Sequence, residues 1–314
     1  MTVNGRIAVA RRFGPPQVIT LESHPAQPLT GRQVRVAVRV GGLNPVDARR
    51  RAGAFGGGVP MAFGSEFAGL VVESRDPNWA PGDEVIGWGV QGADADLVTT
   101  EGASLHAKPR ELGWELAGGL SGVGQSAQTA LSALSLRQGD VIVVHGGAGG
   151  VGTVLVQLAT ARGIAVIATA SAGNHEYLRS LGAIPVAYGT GLSERLTAAA
   201  EGRRVAASVD LVGTREAGDI AVAVAAKGGQ AITLVPETMQ SHGIRLVQVQ
   251  RSREQLTALL SAVAAGTLEL QVEALPFTRI VEAHERLDAK HARGKLVLDL
   301  SDNPHLPATS GSLA

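Results

Sequence analysis

Cysteine is missing from all 314 residues. That one absence removes disulfides, thiolate nucleophiles, iron–sulfur clusters and every zinc site built on cysteine, so redox chemistry here must rest on a bound organic cofactor. Net charge is missing as well, because 28 basic side chains cancel 28 acidic ones. The long-range field that draws a protein to nucleic acid or to an anionic membrane is therefore absent. No apolar run is long enough to cross a bilayer, and the opening MTVNGRIAVARRFG lacks the apolar core of a cleavable signal. A cytoplasmic location and a small-molecule partner, with neither nucleic acid nor membrane, are the resulting expectation. The histidines are scattered, and no Ser-His-Asp, carboxylate-pair or metal-ligand constellation stands out, which argues against hydrolase and metalloenzyme chemistry.

What is present is a chain long enough for two cores, with 45% hydrophobic residues. Its organising stretch is 139–171, GDVIVVHGGAGGVGTVLVQLATARGIAVIATAS. Val141 to Val144 form a β-branched run suited to a parallel strand buried on both faces. Gly147, Gly149 and Gly152 then satisfy G-x-G-x-x-G, with Ala148, Gly150 and Val151 between them. Val154, Leu155, Leu158 and Ala159 follow at helical spacing, Gly163 stands where a helix would stop, and Ala165 to Ala168 begin a second strand. Such a strand-turn-helix offers backbone N–H groups and the positive end of a helix dipole to an anion. A dinucleotide pyrophosphate is the expected guest, bound through residues 147–152.

A further absence selects the dinucleotide. Where an acid at the end of the second strand would hold the ribose 2′-hydroxyl of NAD, the chain has Thr169, Ala170 and Ser171, with no acid before Glu176. With Ser171, His175, Arg179 and Tyr188 as donors to a 2′-phosphate, NADPH is the predicted cofactor.

Residues 1 to about 110 read as β-rich. Ile7–Ala10, Val18–Leu21, Val34–Val40 and Leu70–Glu73 are short apolar or alternating segments between turn compositions such as GPP and DPNWAPGD. From Trp114 the texture is helical, through Leu116–Leu134. Strand-like segments at 164–168, 186–188, 209–212 and 230–235 then alternate with helical ones, as in a doubly wound α/β sheet. Gln255–Ala265 reads as an amphipathic helix and Leu296–Leu300 as a last strand, while the polar tail SDNPHLPATSGSLA is predicted to be disordered.

Several collinear motifs then carry a resemblance: VRVGGLNPVDARRRAG at 38–53, GSEFAGLVVE at 64–73, PGDEVIG at 81–87, HGGAGGVG at 145–152, RSLGA at 179–183 and HARGKLVLDL at 291–300. Together they resemble the zinc-independent medium-chain dehydrogenase/reductases typified by NADPH:quinone oxidoreductase and zeta-crystallin. The resemblance implies a GroES-like β-barrel domain from 1–115 and 276–314, and a Rossmann NADPH-binding domain from 116–275, with the site in the cleft between them. It also implies a homodimer or higher assembly, and hydride transfer from NADPH to a quinone or an α,β-unsaturated carbonyl. Where zinc relatives have Gly-His-Glu, this chain has Gly64-Ser65-Glu66, and a lone Glu66 cannot make a three-ligand zinc site.

In similar enzymes the NPVD motif borders substrate and nicotinamide. Asn44 is accordingly either an oxyanion-stabilising amide or a turn or cap residue, with Asp47 as a helix N-cap. Relatives often have tyrosines where Arg49 and Phe55 stand here; Phe55 can stack but cannot donate a proton. Phe63 and Trp88 join Phe55 as expected pocket lining, with core packing the alternative for Trp88. Asp94, where relatives often have an aromatic, and Asp96 are expected to be solvated. Ser126 resembles a cofactor-contacting threonine, and Lys295 a position near the cofactor or domain junction, with a surface lysine the alternative. Val212, Gly213, Leu234 and Val235 end Rossmann strands, where ligands are placed. His145 is expected to pack at its strand end. Beside the quinone or enone reductase stand two alternatives: an enoyl or cyclising reductase of secondary metabolism, and a non-catalytic NADPH-binding structural or regulatory protein.

Overall fold

The computed structural model describes residues 4–290 and 293–307. The chain divides into two compact units, one made of Met1–Gly122 and Val272–Ala314, the other of Val123–Gln271. The first crossing, between Gly122 and Val123, lies inside a helix, and the second falls between Gln271 and Val272.

The first unit begins with β1 (Asn4–Ala10), β2 (Ile19–Pro25), β3 (Gln33–Gly42), α1 (Pro45–Arg51), β4 (Met61–Ala62), β5 (Glu66–Ser74), β6 (Glu84–Trp88), β7 (Leu97–Glu101) and β8 (Leu105–Ala107). Helix α2 (Trp114–Ser132) then carries the chain into the second unit. That unit alternates β9 (Val141–His145), α3 (Gly150–Thr160), β10 (Ala165–Ala170), α4 (His175–Ser180), β11 (Ile184–Ala187), α5 (Leu192–Ala200), β12 (Val205–Asp210), α6 (Arg215–Ala226), β13 (Gln230–Thr233), α7 (Pro236–His242), β14 (Arg245–Leu246) and α8 (Arg253–Ala264). The return segment adds β15 (Val272–Pro276), α9 (Ile280–Ala289) and β16 (Lys295–Asp299) to the first unit.

In the first unit β3 is central. It pairs antiparallel with β5, β7 and β16, and β16 pairs parallel with β15. Val34, Val36, Val38, Phe67, Val85 and Leu298 alternate inward to fill its core. A second sheet runs β2-β1-β4. The second unit is a parallel six-stranded sheet in the order β11-β10-β9-β12-β13-β14. Counted along the chain this is 3-2-1-4-5-6, the doubly wound order, whose switch point lies between β9 and β12. All five residues of β9 are buried, as a strand covered on both faces requires. Gly163, with φ +70°, follows α3, where the sequence placed the stop.

Three expectations are corrected. Asn44, not Asp47, is the N-cap of α1. Asp47 sits three residues later, and its carboxylate accepts from the Asn44 backbone N–H at 2.9 Å. Asp94 and Asp96 are buried instead of solvated. Asp96 accepts from the Arg6 guanidinium at 2.9 Å, whereas among the described residues neither Asp94 oxygen meets a donor. The first half of the predicted disordered tail is ordered: Asn303 is buried and donates to Val38 O at 2.8 Å and Asp96 O at 2.7 Å, and Asp302 pairs with Arg6. Residues 308–314, the rest of that tail, and 291–292 of the HARGKLVLDL motif lie outside the described residues.

Candidate active site

The glycine turn is built as the spacing requires, each glycine for its own reason. A Cβ on Gly147 would stand 2.6 Å from Ala168 Cβ on the neighbouring strand. One on Gly152 would stand 2.3 Å from Gly146 O and 2.7 Å from Gly147 Cα. Gly149 differs, since its Cβ would meet nothing closer than Gly146 O at 3.5 Å; its bareness leaves the rim of the turn open to a ligand. Gly149 caps α3, so the N–H groups of Gly150, Val151 and Gly152 belong to a first turn that lacks intrahelical acceptors. This cradle fits a dinucleotide diphosphate. Ala148 is buried beneath it, and Thr169 fixes its base by accepting from Gly147 N at 3.0 Å and, through Oγ1, from Gly146 N at 3.3 Å.

The candidate 2′-phosphate residues gather at adjacent strand ends. Ala170 pairs with Ala187, so Ser171 and Tyr188 leave β10 and β11 side by side, both exposed. His175 and Arg179 lie one turn apart on α4, and Arg179 is exposed. Ser171 Oγ accepts from Asn174 Nδ2 at 3.0 Å. Tyr177, which the sequence reading passed over, ties α4 to the dinucleotide helix by a 3.2 Å hydrogen bond from its hydroxyl to Thr153 Oγ1.

At the switch point β9 and β12 end on His145 and Asp210, which are register partners. Asp210 is fully buried and organises both following turns. Its Oδ1 accepts from the N–H groups of Val212 and Gly213, each at 3.0 Å. Its Oδ2 accepts from Thr238 Oγ1 at 2.6 Å and Thr233 Oγ1 at 2.8 Å, and its backbone O accepts from Leu234 N at 3.0 Å. Thr233 Oγ1 accepts in turn from Val235 N at 2.9 Å. Asp210 thus ties down all four strand-end residues singled out in the sequence, Val212 and Gly213 directly through its carboxylate, Val235 through Thr233 and Leu234 through its backbone O. Val212 also closes on the glycine turn, because a Cβ on Gly146 would stand 2.5 Å from Val212 Cγ1. His145 is buried, and burial holds its imidazole down at about 4, so it is neutral near pH 7. Neither Asp210 nor Thr238 was singled out from sequence; an acid closing the apolar strand of SVDLVG was the signal.

In the first unit Asn44 and Lys295 are drawn into one buried network. Lys295 Nζ donates to Leu43 O, Asn44 Oδ1 and Glu66 Oε1, each at 2.7 Å. Asn44 Nδ2 donates to Glu66 Oε1 at 2.9 Å, and Glu66 Oε2 accepts from Gly122 N. Gly42 and Gly122 leave the room: a Cβ on either would fall 2.5 or 2.4 Å from a Glu66 atom. Lys295 therefore spends its three hydrogens inside this unit and is buried, so it is not a surface lysine. The Asn44 amide keeps one hydrogen held only by a 3.5 Å contact to Gly42 O. Around this pair lie two more acids. Burial pushes the Asp47 carboxyl up to about 6, and burial together with the Asp47 charge pushes Asp94 well above the usual carboxylate range.

The expected pocket residues separate. Phe63 is fully buried in the core, edge-on to His284 with centroids 5.2 Å apart, so it is packing and not lining. Trp88 is buried at the end of β6. Phe55 is 48% exposed, and of the three it alone has surface to offer a ligand. Ser126 is buried on α2.

A glycine cradle at the switch point of a 3-2-1-4-5-6 sheet, in a chain whose other unit is an antiparallel β fold, defines a dinucleotide-binding protein of the two-domain dehydrogenase class. Sequence comparison makes this specific. Residues 30–93 match the alcohol dehydrogenase GroES-like domain and residues 181–298 the zinc-binding dehydrogenase family. The chain is 31% identical over 307 residues to the chloroplastic NADPH-dependent alkenal/one oxidoreductase of Arabidopsis thaliana, covering 91% of this chain and 77% of that protein. Its fold superposes on the quinone oxidoreductase of Coxiella burnetii with a TM-score of 0.84 and 29% identity, over 95% of this chain and 100% of the other. It also superposes on a mycobacterial protein solved with NADPH, with a TM-score of 0.83 and 25% identity over 94% and 99%. The chain belongs to the medium-chain dehydrogenase/reductase family.

Proposed function

We propose that this protein is an NADPH-dependent oxidoreductase that delivers hydride to a quinone or an α,β-unsaturated carbonyl, without zinc. The observation that carries the reading is the glycine cradle at the switch point, followed by a strand end that carries no acid at Ser171. Relatives that match along most of the chain reduce alkenals and enones or are quinone oxidoreductases.

Bound NADPH would supply the hydride from its nicotinamide ring. The chain's own contribution is to bind and orient. Residues 147–152 hold the diphosphate through backbone N–H groups; Ser171, His175, Arg179 and Tyr188 hold the 2′-phosphate; Ser126, Val212, Gly213, Leu234 and Val235 border the rest of the cofactor. Phe55 contacts the acceptor, and the remaining Asn44 amide hydrogen stabilises its developing oxyanion. Solvent provides the proton that completes the reduction. Independence from zinc is supported by the lack of cysteine and by Glu66, whose oxygens are committed to Lys295, Asn44 and Gly122. A cytoplasmic homodimer is the form we propose, and light scattering on the purified protein would show its mass. Following NADPH absorbance against a panel of quinones and enones tests the activity. Tight NADPH binding with no oxidation by any acceptor would convert the reading to a non-catalytic binding protein, and tighter binding of NADH would remove the cofactor assignment.

A further inference from the structure

Asp210 is an unusual residue to find where it is. It closes β12 beside the switch point, fully buried, and all four side-chain partners it has are uncharged: two backbone N–H groups and two threonine hydroxyls. Each of them donates. Val235 N occupies Thr233 Oγ1 as acceptor, and of the acceptors in reach of that hydroxyl's single hydrogen Asp210 Oδ2 at 2.8 Å is nearest, ahead of Asp210 O and Val235 O at 3.3 Å. Four donors converging on two oxygens are the environment of an ionised, acceptor-only carboxylate. No lysine or arginine shares it in an ion pair among the described residues, and its register partner His145 is neutral near pH 7. Buried charge left without a counter-ion is costly, and sites that keep one use it.

We propose that Asp210 is a positioning residue whose uncompensated negative charge, held between the Val212–Gly213 and Leu234–Val235 turns, favours the oxidised cofactor. This rests on the cofactor reading above. When a hydride leaves C4 of the nicotinamide, with the C–H electron pair passing to the acceptor carbon, the ring changes from neutral to singly positive. A fixed anion behind the turns that border this ring lowers the energy of the positive form and leaves the neutral one nearly untouched. The carboxylate therefore acts through the turns it shapes and through its field, and its four hydrogen bonds keep it charged while the ring changes sign.

Asp210→Asn keeps the shape and the acceptor for Val212 and Gly213 while deleting the charge. The dissociation constants of NADP⁺ and NADPH are measured separately, by calorimetry and by NADPH fluorescence. The expected result is a rise of about tenfold in the ratio Kd(NADP⁺)/Kd(NADPH), the size a unit charge exerts across several ångströms of protein. Thr238→Val provides the second variant: it withdraws one neutral donor, leaves the charge less shielded, and moves the ratio the other way. An unchanged ratio in Asp210→Asn, with both constants raised equally, would leave only a structural role and overturn the proposal. Should Asp210→Asn fail to fold, an unchanged or increased ratio in Thr238→Val overturns it instead. Failure of wild-type protein to bind either form would refute the cofactor reading itself, a distinguishable outcome.

Discussion

Asp94→Asn isolates the most consequential buried acid in the first unit. Asp94 is fully buried, its two oxygens meet no donor among the described residues, and Asp47 and Glu66 surround it with negative charge that Lys295 only partly answers. Its carboxyl consequently holds its proton far above the usual range in the folded protein. In the unfolded chain it ionises normally, near 3.8. The folded state then binds one proton more than the unfolded state, so this group's contribution is fully present below the unfolded value and is lost as pH rises towards the folded one. Over the pH range just above that unfolded value, wild-type stability should fall relative to Asp94→Asn at about 1.4 kcal/mol per pH unit for as long as the folded carboxyl keeps its proton. Burying an amide without partners adds a constant penalty to the variant, and a constant cancels from the slope. The assay is built into the chain: its three tryptophans, Trp79, Trp88 and Trp114, all lie in the first unit, so denaturant unfolding followed by tryptophan fluorescence reports that unit. Parallel curves for the two proteins across this window would refute the reasoning and show Asp94 to be ionised in the fold.

Other perturbations follow from the same geometry. Gly152→Ala places a methyl 2.3 Å from Gly146 O, and overpacking of about 1–3 kcal/mol should weaken NADPH binding on the order of 10- to 100-fold in a fluorescence titration. Arg179→Ala should raise the Kd for NADPH by roughly tenfold or more while leaving NADH unchanged, as loss of one charged hydrogen-bond donor implies. Lys295→Met leaves Glu66 buried beside no ammonium, a loss of about 3–5 kcal/mol in the tryptophan-monitored transition that adding Glu66→Gln should partly restore.

The second unit was the more legible half. Its central strand β9 is buried along its whole length, and α3, α6 and α8 start from Gly149, Thr214 and Ser252, so local pattern and global position agree: Val141 to Val144 lie in β9, and Ser252 caps α8 through Gln255 N. The first unit was read for its strands but not for its polar interior. Asp94 and Asp96 looked like loop acids because nothing local reveals that Gly41 and Gly64 pack against one and Arg6 reaches the other. Lys295 and Asn44 carried family roles from sequence, yet they meet each other across 251 positions of chain. Phe63 read as pocket lining for the same reason, since its partner His284 is far away in sequence. Long-range pairing of this kind leaves no periodicity to read.

The discontinuity of the first unit sets a timetable for synthesis. Central strand β3 has β5 and β7 to pair with early, but its partner β16 and the ammonium for Glu66 arrive only after the whole second unit has been made. At about 5–20 residues per second, Asn44 waits roughly 10–50 s for Lys295. Through that interval an edge of the sheet stays open and Glu66 must stay wet, while the contiguous second unit can already close. The nascent chain thus emerges with its cofactor half complete and its other half exposed to chaperones, and the returning strands β15 and β16 act as the latch.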